Sequence, residues 1–311
     1  MKKICVLASG GDAPGMNACM EAIFLRGSEL GYDVWVAVSG YDGLVKGQVA
    51  KLTPQNACGI SNKSGCVFKC ARSPLFMTRD GFNSAVTNIK KYGFEAVIVI
   101  GGNGSFCGAG SLKVAGIPVI AIPATIDNDV FITKHNLGFS SACESAVQLI
   151  DALKTTMETN DRDHIVQLMG RHCIQLSYMV GMATFADIID MEGQRNTPAE
   201  MAKLIASKRK SGKSSVYMLM QERKGTDAVS EAVNSAQYLK DLWALSGNAN
   251  TRMNTLGHLQ RGAPPSCRDR YLGVVYGQAA LDCVVNKRFG VGLGLVNDQV
   301  SCIDIDPMPL P

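Results

Sequence analysis

The sequence predicts an α/β protein of two domains with mainly parallel sheets. Three observations carry that prediction. Short, almost wholly apolar runs alternate with helical stretches along most of the chain, and several of the runs end in polar, glycine-bearing loops. The length, 311 residues, also exceeds what a single core usually fills. The runs read as strands are residues 4–8, 34–38, 96–100, 119–122, 164–169, 216–220 and 291–296. Their lack of polar alternation fits strands covered by helices on both faces. The helices between them are expected over residues 16–30, 81–92, 140–156 and 198–207. Residues 224–250 read as an inserted helix–loop excursion rather than a linker.

Composition excludes several function classes. The chain is 46% hydrophobic and 19% charged, and its net charge of +4 is spread without a basic tract, so no nucleic-acid partner is expected. The densest basic run, residues 203–213, reads as a solvated helix end and loop. Eleven cysteines lack the paired spacing of a zinc site; Cys66 and Cys70 are the closest pair. An odd count without a secretory segment points to thiols in a reducing, cytoplasmic setting. The opening apolar run breaks at Gly10-Gly11, too early for a signal peptide. No apolar stretch reaches the roughly 18–20 residues a membrane helix needs, so no membrane partner is expected.

The strand-end loops carry the chemistry. They are Gly10-Gly11-Asp12-Ala13-Pro14-Gly15, Gly101-Gly102-Asn103-Gly104-Ser105, Thr125-Ile126-Asp127-Asn128-Asp129 and Gly170-Arg171-His172. In open parallel sheets, ligands bind beyond the carboxyl ends of the strands, so four such loops argue for one composite site. The glycine loops open helices and let backbone N–H groups approach an anion without a Cβ in the way. Neither is a Walker A motif or a dinucleotide fingerprint, and either alone would more often be an ordinary turn. Asp127 and Asp129 share a small volume, so one can act as a base while the other orients metal or solvent. Taken alone, the same acidic loop reads equally well as an Asx turn. Arg72, Arg162, Arg171, Arg252 and Arg261 lie in loops or at strand ends, where guanidinium groups bind phosphoryl oxygens.

Four stretches together resemble the phosphofructokinase A family: Gly-Gly-Asp-Ala-Pro-Gly-Met-Asn at 10–17, Pro-Ala-Thr-Ile-Asp-Asn-Asp at 123–129, Met-Gly-Arg-His-Cys at 169–173 and Gly-His-Leu-Gln-Arg-Gly at 257–262. They stand in the family's order and near its spacing over essentially the whole chain. The resemblance implies two Rossmann-like three-layer α/β domains with the active site in the cleft between them. The larger, ATP-binding domain would comprise residues 1–138 plus about 260–300. The smaller, sugar-phosphate domain would comprise 139–259 plus 301–311.

By the same likeness, the γ-phosphoryl of ATP passes to the 1-hydroxyl of fructose 6-phosphate. Asp127 is the general base, framed by Thr125 and Asp129, and Arg72 and Arg171 stabilise the transferring phosphoryl. Gly11, Tyr41, Arg72, Gly102, Asn103, Gly104, Ser105 and Gly108 match the ATP site, with Tyr41 near the adenine. Thr125, Asp127, Arg162, Met169, Gly170, Arg171, Glu222, Arg252, His258 and Arg261 match the sugar-phosphate site. Arg162 and Arg252 resemble residues that serve a neighbouring subunit's site, which implies a homotetramer. The small residues Gly104 and Ala124 resemble the ATP-using branch, since pyrophosphate users carry Asp and Lys there. Mg²⁺ is the implied cofactor, with Asn103 as a weakened ligand and Asp129 acting through a water.

The departures are specific. Asn103 stands where the family usually carries the magnesium-site carboxylate, which predicts weaker magnesium dependence or a lower kcat, and a gain of activity on Asn103→Asp. Glu21, Leu25, Pro54 and Ser211 stand where relatives place a basic effector pocket, although Lys154, Asp187 and Lys213 persist. Little response to anionic effectors is therefore expected. Ile174-Gln175 replaces a smaller pair beside Cys173, and the chain stops without the closing helix many members have. Two other readings stay open at this level: a regulatory paralogue without turnover, and a pyrophosphate-using enzyme.

Overall fold

A computed structural model describes residues 2–170, 173–222, 228–247, 250–297 and 299–306, without the side chains of 228–235. In chain order its elements are β1 (Lys2–Ser9), α1 (Met16–Glu29), β2 (Tyr32–Ala37), α2 (Tyr41–Lys46), β3 (Val49–Lys51), α3 (Pro54–Ala57), α4 (Arg79–Tyr92), β4 (Phe94–Gly101), α5 (Asn103–Val114), β5 (Val119–Thr125) and β6 (Leu137–Gly138). There follow α6 (Phe139–Asn160), β7 (His164–Leu168), α7 (Ile174–Ala183), β8 (Ile188–Asp190), α8 (Pro198–Lys210), β9 (Tyr217–Gln221), α9 (Ala228–Ser246) and β10 (Arg252–Thr255). A 3₁₀ turn (Gly257–Leu259), α10 (Cys267–Val285), β11 (Val291–Val296) and β12 (Gln299–Asp304) complete the chain. Two compact units result, one of Met1–Ser141 with Arg261–Pro311 and one of Ala142–Gln260.

The larger unit is built on a sheet ordered β12-β11-β5-β4-β1-β2-β3, with β6 added beside β5. Its central strands are parallel, while β3 and β12 run antiparallel at the two edges. Cys5, Leu7, Val97, Val99, Val119 and Ala121 face a core shared with α2, α4 and α5. The opposite face is covered by α1 and α10. Those helices approach closely because Gly273 and Gly277 of α10 lie against the backbone of Cys19, where a Cβ would stand 2.9 Å away.

The smaller unit has four parallel strands ordered β10-β7-β9-β8. Its strand residues alternate between two cores. Ile165, Met218 and Met220 pack with Met201 and Ile205 of α8 and with Tyr238 and Leu242 of α9. Val166, Leu168, Tyr217 and Leu219 pack with Ala146, Ile150 and Met157 of α6 and Val180 of α7. Period-two alternation between helical layers produces a three-layer α/β unit.

Two expectations need correction. The stretch 224–250 is no excursion: α9 crosses from β9 to β10 and buries Tyr238 and Leu242, although 223–227 and 248–249 lie outside the described residues. Residues 301–304 were expected with the smaller domain. Instead they form most of β12, paired from Ser301↔Gly294 to Asp304↔Val291 with β11 of the larger sheet. The physical reason is the antiparallel pairing that begins at Val296↔Gln299 and sets β12 along β11. The basic run ends as expected, with Lys208, Arg209 and Lys210 in the last turn of α8. Arg209 also bonds the buried carboxylate of Asp163 at 2.9 Å.

Candidate active site

In the larger sheet, β1, β4 and β5 are neighbours, so the loops at 10–15, 101–105 and 125–129 emerge side by side. The chain runs outward from β1 to β2 and returns on the other side as β4, which makes this edge the topological switch point of the sheet. Ser105 locks two of the loops together: its buried hydroxyl donates to the Ser9 carbonyl at 3.0 Å. Gly10 N–H donates to Ala71 carbonyl at 3.2 Å, which sets exposed Arg72 beside the end of β1.

The helix starts separate sharply by chemistry. Helices α4, α8 and α10 begin with capping side chains from Thr78, Thr197 and Ser266 and carry an acidic residue in the first turn. Helices α1, α5 and α7 begin after Gly15, Gly102 and Cys173, with no capping side chain and no acid in the first turn. These are the helices that follow the glycine loops. At α5 the first residues, Asn103 and Gly104, are exposed, so its first N–H groups and positive dipole end are left for an outside anion, whereas the start of α1 is buried and its Met16 N–H donates to the Ala13 carbonyl at 3.3 Å. A Cβ at Gly104, the second residue of α5, would meet nothing within 4 Å, so packing does not require glycine there.

The acidic loop is shaped by side chains. Thr125 Oγ1 accepts from the Asp127 N–H at 3.1 Å. Asn128 adopts a left-handed φ of 53°, which turns the backbone between the two carboxylates. Asp127 is half-buried and Asp129 exposed. The Asn103 amide donates to the Asp129 carbonyl at 3.2 Å. Among the described residues there is no cluster of three or more side chains able to cage a metal. Mg²⁺ carried by a triphosphate needs only one or two carboxylates, however, and Asp129 at the mouth of the loop supplies one, so the donor set fits a metal arriving with nucleotide.

Several expected ligand residues have other work. Tyr41 is buried, stacked on Phe76 at 4.2 Å, with its hydroxyl bonded to the Ser105 carbonyl at 2.8 Å. It therefore supports α5 from below rather than offering a ring face to adenine. Gly108 belongs to the same packing: a Cβ there would lie 2.6 Å from Tyr41 Cζ. Arg261, grouped with the sugar-phosphate residues, rests on the first glycine loop, donating to the Asp12 carbonyl at 3.2 Å. A Cβ at Gly11 would come 2.7 Å from its Nη1, so Gly11 makes room for this guanidinium.

In the smaller unit, Met169, Gly170, Glu222 and His258 collect at the carboxyl ends of β7, β9 and β10. The Met169 N–H donates to Gln260 Oε1 at 2.9 Å, and the Glu222 N–H to the Leu168 carbonyl at 2.8 Å. Gly170 has a φ of 136°, and a Cβ would stand 3.0 Å from the Cys173 carbonyl; only glycine suits that turn. Arg171 and His172 lie outside the described residues. Arg162 and Arg252 are not with this group. They sit at the amino ends of β7 and β10, where Arg252 pairs in register with His164. Sequence reasoning missed Arg195, whose guanidinium donates to the Gln221 and Glu222 carbonyls at 3.4 and 3.2 Å. A lone arginine after a short strand gave no motif by which to find it.

Residues at the positions expected for an effector pocket, both altered and persisting, are also engaged. The Glu21 carboxylate accepts backbone N–H bonds from Gly59, Ile60 and Ser61 at 2.7, 3.0 and 2.8 Å. Partial burial works to raise its pKa, but the bonds from Gly59, Ser61 and Ile60 outweigh it and hold the group below its ordinary value. Lys213 pairs with Asp187 at 2.5 Å, and Lys154 bonds the Thr184 carbonyl over the ring of Tyr217.

A parallel-sheet switch point with an open helix start at α5 and an adjacent acidic loop defines a phosphate-handling α/β protein. The family model described as phosphofructokinase matches residues 3–284, and on that match the chain belongs to the phosphofructokinase family. An ATP-dependent 6-phosphofructokinase of Streptococcus suis is 34% identical over 96% of this chain and 87% of its own length. That of Lactobacillus helveticus is 35% identical over 98% and 92%. The Saccharomyces cerevisiae phosphofructokinase structure superposes with a TM-score of 0.85 at 28% identity, covering 98% of this chain and 45% of the yeast chain. A pyrophosphate-dependent phosphofructokinase from Marinobacter aquaeolei shares the fold, with a TM-score of 0.82 at 17% identity. No described helix is long and apolar enough to cross a membrane.

Proposed function

We propose that this chain transfers the γ-phosphoryl of ATP to the 1-hydroxyl of fructose 6-phosphate, giving fructose 1,6-bisphosphate. The observation that carries the reading is the uncapped, acid-free start of α5 beside the Thr125–Asp129 loop. It supports the reading because helix-start N–H groups without a capping side chain stand beside the loop of Asp127 in one unit. Relatives named ATP-dependent 6-phosphofructokinase match the chain over nearly its whole length, which supports the reading.

In this reading the triphosphate lies over the start of α5, beside the first glycine loop, and the open space at Gly104 admits its phosphates. Asp127 takes the proton of the sugar hydroxyl as the oxygen attacks; a base so placed contributes about 10²–10⁴-fold. Arg72 and Arg171 offset charge on the phosphoryl group in flight, where positioning and electrostatics supply most of the catalysis. Met169, Gly170, Glu222 and His258 orient the sugar phosphate. Asp129 would hold Mg²⁺ through a water, the ion neutralising charge on the phosphate oxygens.

Assembly into a homotetramer completes the proposal. Its first support is the exposed apolar stripe of Ile174, Tyr178, Met179 and Met182 on α7, continued by Phe185, which is 87% exposed. The second is the position of Arg162 and Arg252 at the strand ends opposite Gly170 and His258, which supports a role for them at another subunit's sugar phosphate. A cytoplasmic location follows from the thiol-rich composition and the glycolytic substrates. Purified protein with fructose 6-phosphate and Mg²⁺, given ATP or pyrophosphate in separate assays, tests the reading. Turnover with ATP is expected; turnover with pyrophosphate alone, or none with either, overturns it.

A further inference from the structure

The residue that departs most from the family pattern has a structural task that its sequence position does not reveal. Asn103 opens α5, and its Nδ2 donates to the carbonyl of Asp129. A carbonyl only accepts, so its partner must be a donor, and an ionised carboxylate has no proton to donate. The remainder of the acidic loop is tied in the same style. Asn128 Oδ1 accepts from the backbone N–H and side-chain Nδ2 of Asn136 at 3.0 and 2.9 Å, and its own Nδ2 donates to the Lys134 carbonyl at 3.1 Å. Thr125 holds the Asp127 N–H. Three successive residues, 127 to 129, are therefore each fixed by a side chain, and the tie at 129 comes from the helix assigned to phosphate.

We propose that Asn103 is a positioning residue: its amide braces the acidic loop against the start of α5, and a carboxylate at 103 would slow the reaction rather than restore it. This rests on the reading of Asp127 as the base. An aspartate at 103 faces the Asp129 carbonyl acceptor to acceptor, and it adds a third negative charge beside Asp127 and Asp129. The hydrogen-bond geometry thus reverses the gain of activity that family likeness alone predicts for Asn103→Asp.

The test compares wild type, Asn103→Ala and Asn103→Asp in two measurements. Steady-state kinetics are taken with Mg²⁺ titrated to saturation, and amide hydrogen exchange over residues 125–137 is followed in ligand-free protein. For Asn103→Ala, loss of one hydrogen bond should lower kcat about fivefold, leave the KM for fructose 6-phosphate within about twofold, and speed exchange in the loop. Asn103→Asp should be at least as slow at saturating Mg²⁺. A faster Asn103→Asp enzyme, or unchanged exchange in Asn103→Ala, overturns the proposal. A wild-type protein without kinase activity would instead defeat the functional reading, and the exchange arm would still decide whether the brace exists.

Discussion

Gly104→Asp separates the demands of the fold from those of the nucleotide. The added side chain enters open space in the first turn of α5, where no acid is present and no side chain caps the helix. Removing a glycine from a helix, and placing a negative charge at its positive end, together should stabilise the protein by about 1 kcal/mol. For a chain of this size that is a rise in Tm of about 2 °C. The same carboxylate would stand among the phosphates of ATP. At about 6 Å and an effective dielectric of about 20, one pair of unit charges repels by about 3 kcal/mol, or about 100-fold in rate. Calorimetry and a coupled kinase assay, with kcat/KM for ATP as the readout, should therefore move in opposite directions. A variant that melts lower, or that keeps its full kcat/KM for ATP, refutes the reasoning.

Other expectations follow from single groups. Asp127→Asn should lower kcat by about 10²–10⁴-fold while changing the KM for fructose 6-phosphate little, read by steady-state kinetics. Burial, then the charges of Arg252 and Arg162, hold the His164 pKa below its ordinary 6.5, against the opposing pull of Asp163. The unfolded chain then binds a proton first, so this contribution to stability is present above pH 6.5 and is lost as pH falls through the lowered folded value. Tm measured from pH 7.5 to 5 should accordingly fall less steeply for His164→Gln than for wild type; equal slopes would discard the assignment. Glu21→Ala should cost about 1–3 kcal/mol at neutral pH by leaving three N–H groups without their acceptor. That difference should shrink as pH drops below 4.5 and through the depressed pKa of Glu21, and denaturant melts at several pH values would show it.

The parts legible in the sequence were those with a strong local signal. Runs such as Ile4–Ala8 are apolar on both faces because helices cover both, and their strand character needs no tertiary knowledge. The short strands β3, β8 and β10 have three or four residues and took their identity from pairing with longer neighbours, so pattern alone passed over them. Helix α9 was misjudged because its context, the crossover between β9 and β10, becomes visible only with β10 in place. At the site, the glycine loops and Asp127 announced themselves by composition. The ties that shape them did not: Tyr41 under Gly108, Arg261 over Gly11 and Asn103 on Asp129 span 67, 250 and 26 positions of sequence. No local pattern encodes a partner that distant.

The path of the chain has a consequence for biosynthesis. The larger sheet receives β11 and β12 only after residues 142–260 have been made, because the smaller unit is inserted between β6 and α10. On the ribosome the contiguous unit can fold as soon as it emerges, while the one that began first must wait with the apolar face of α1 unshielded. Nascent chains halted before Cys267 should therefore attract chaperones through residues 16–29, and release of the last forty or so residues should end that dependence.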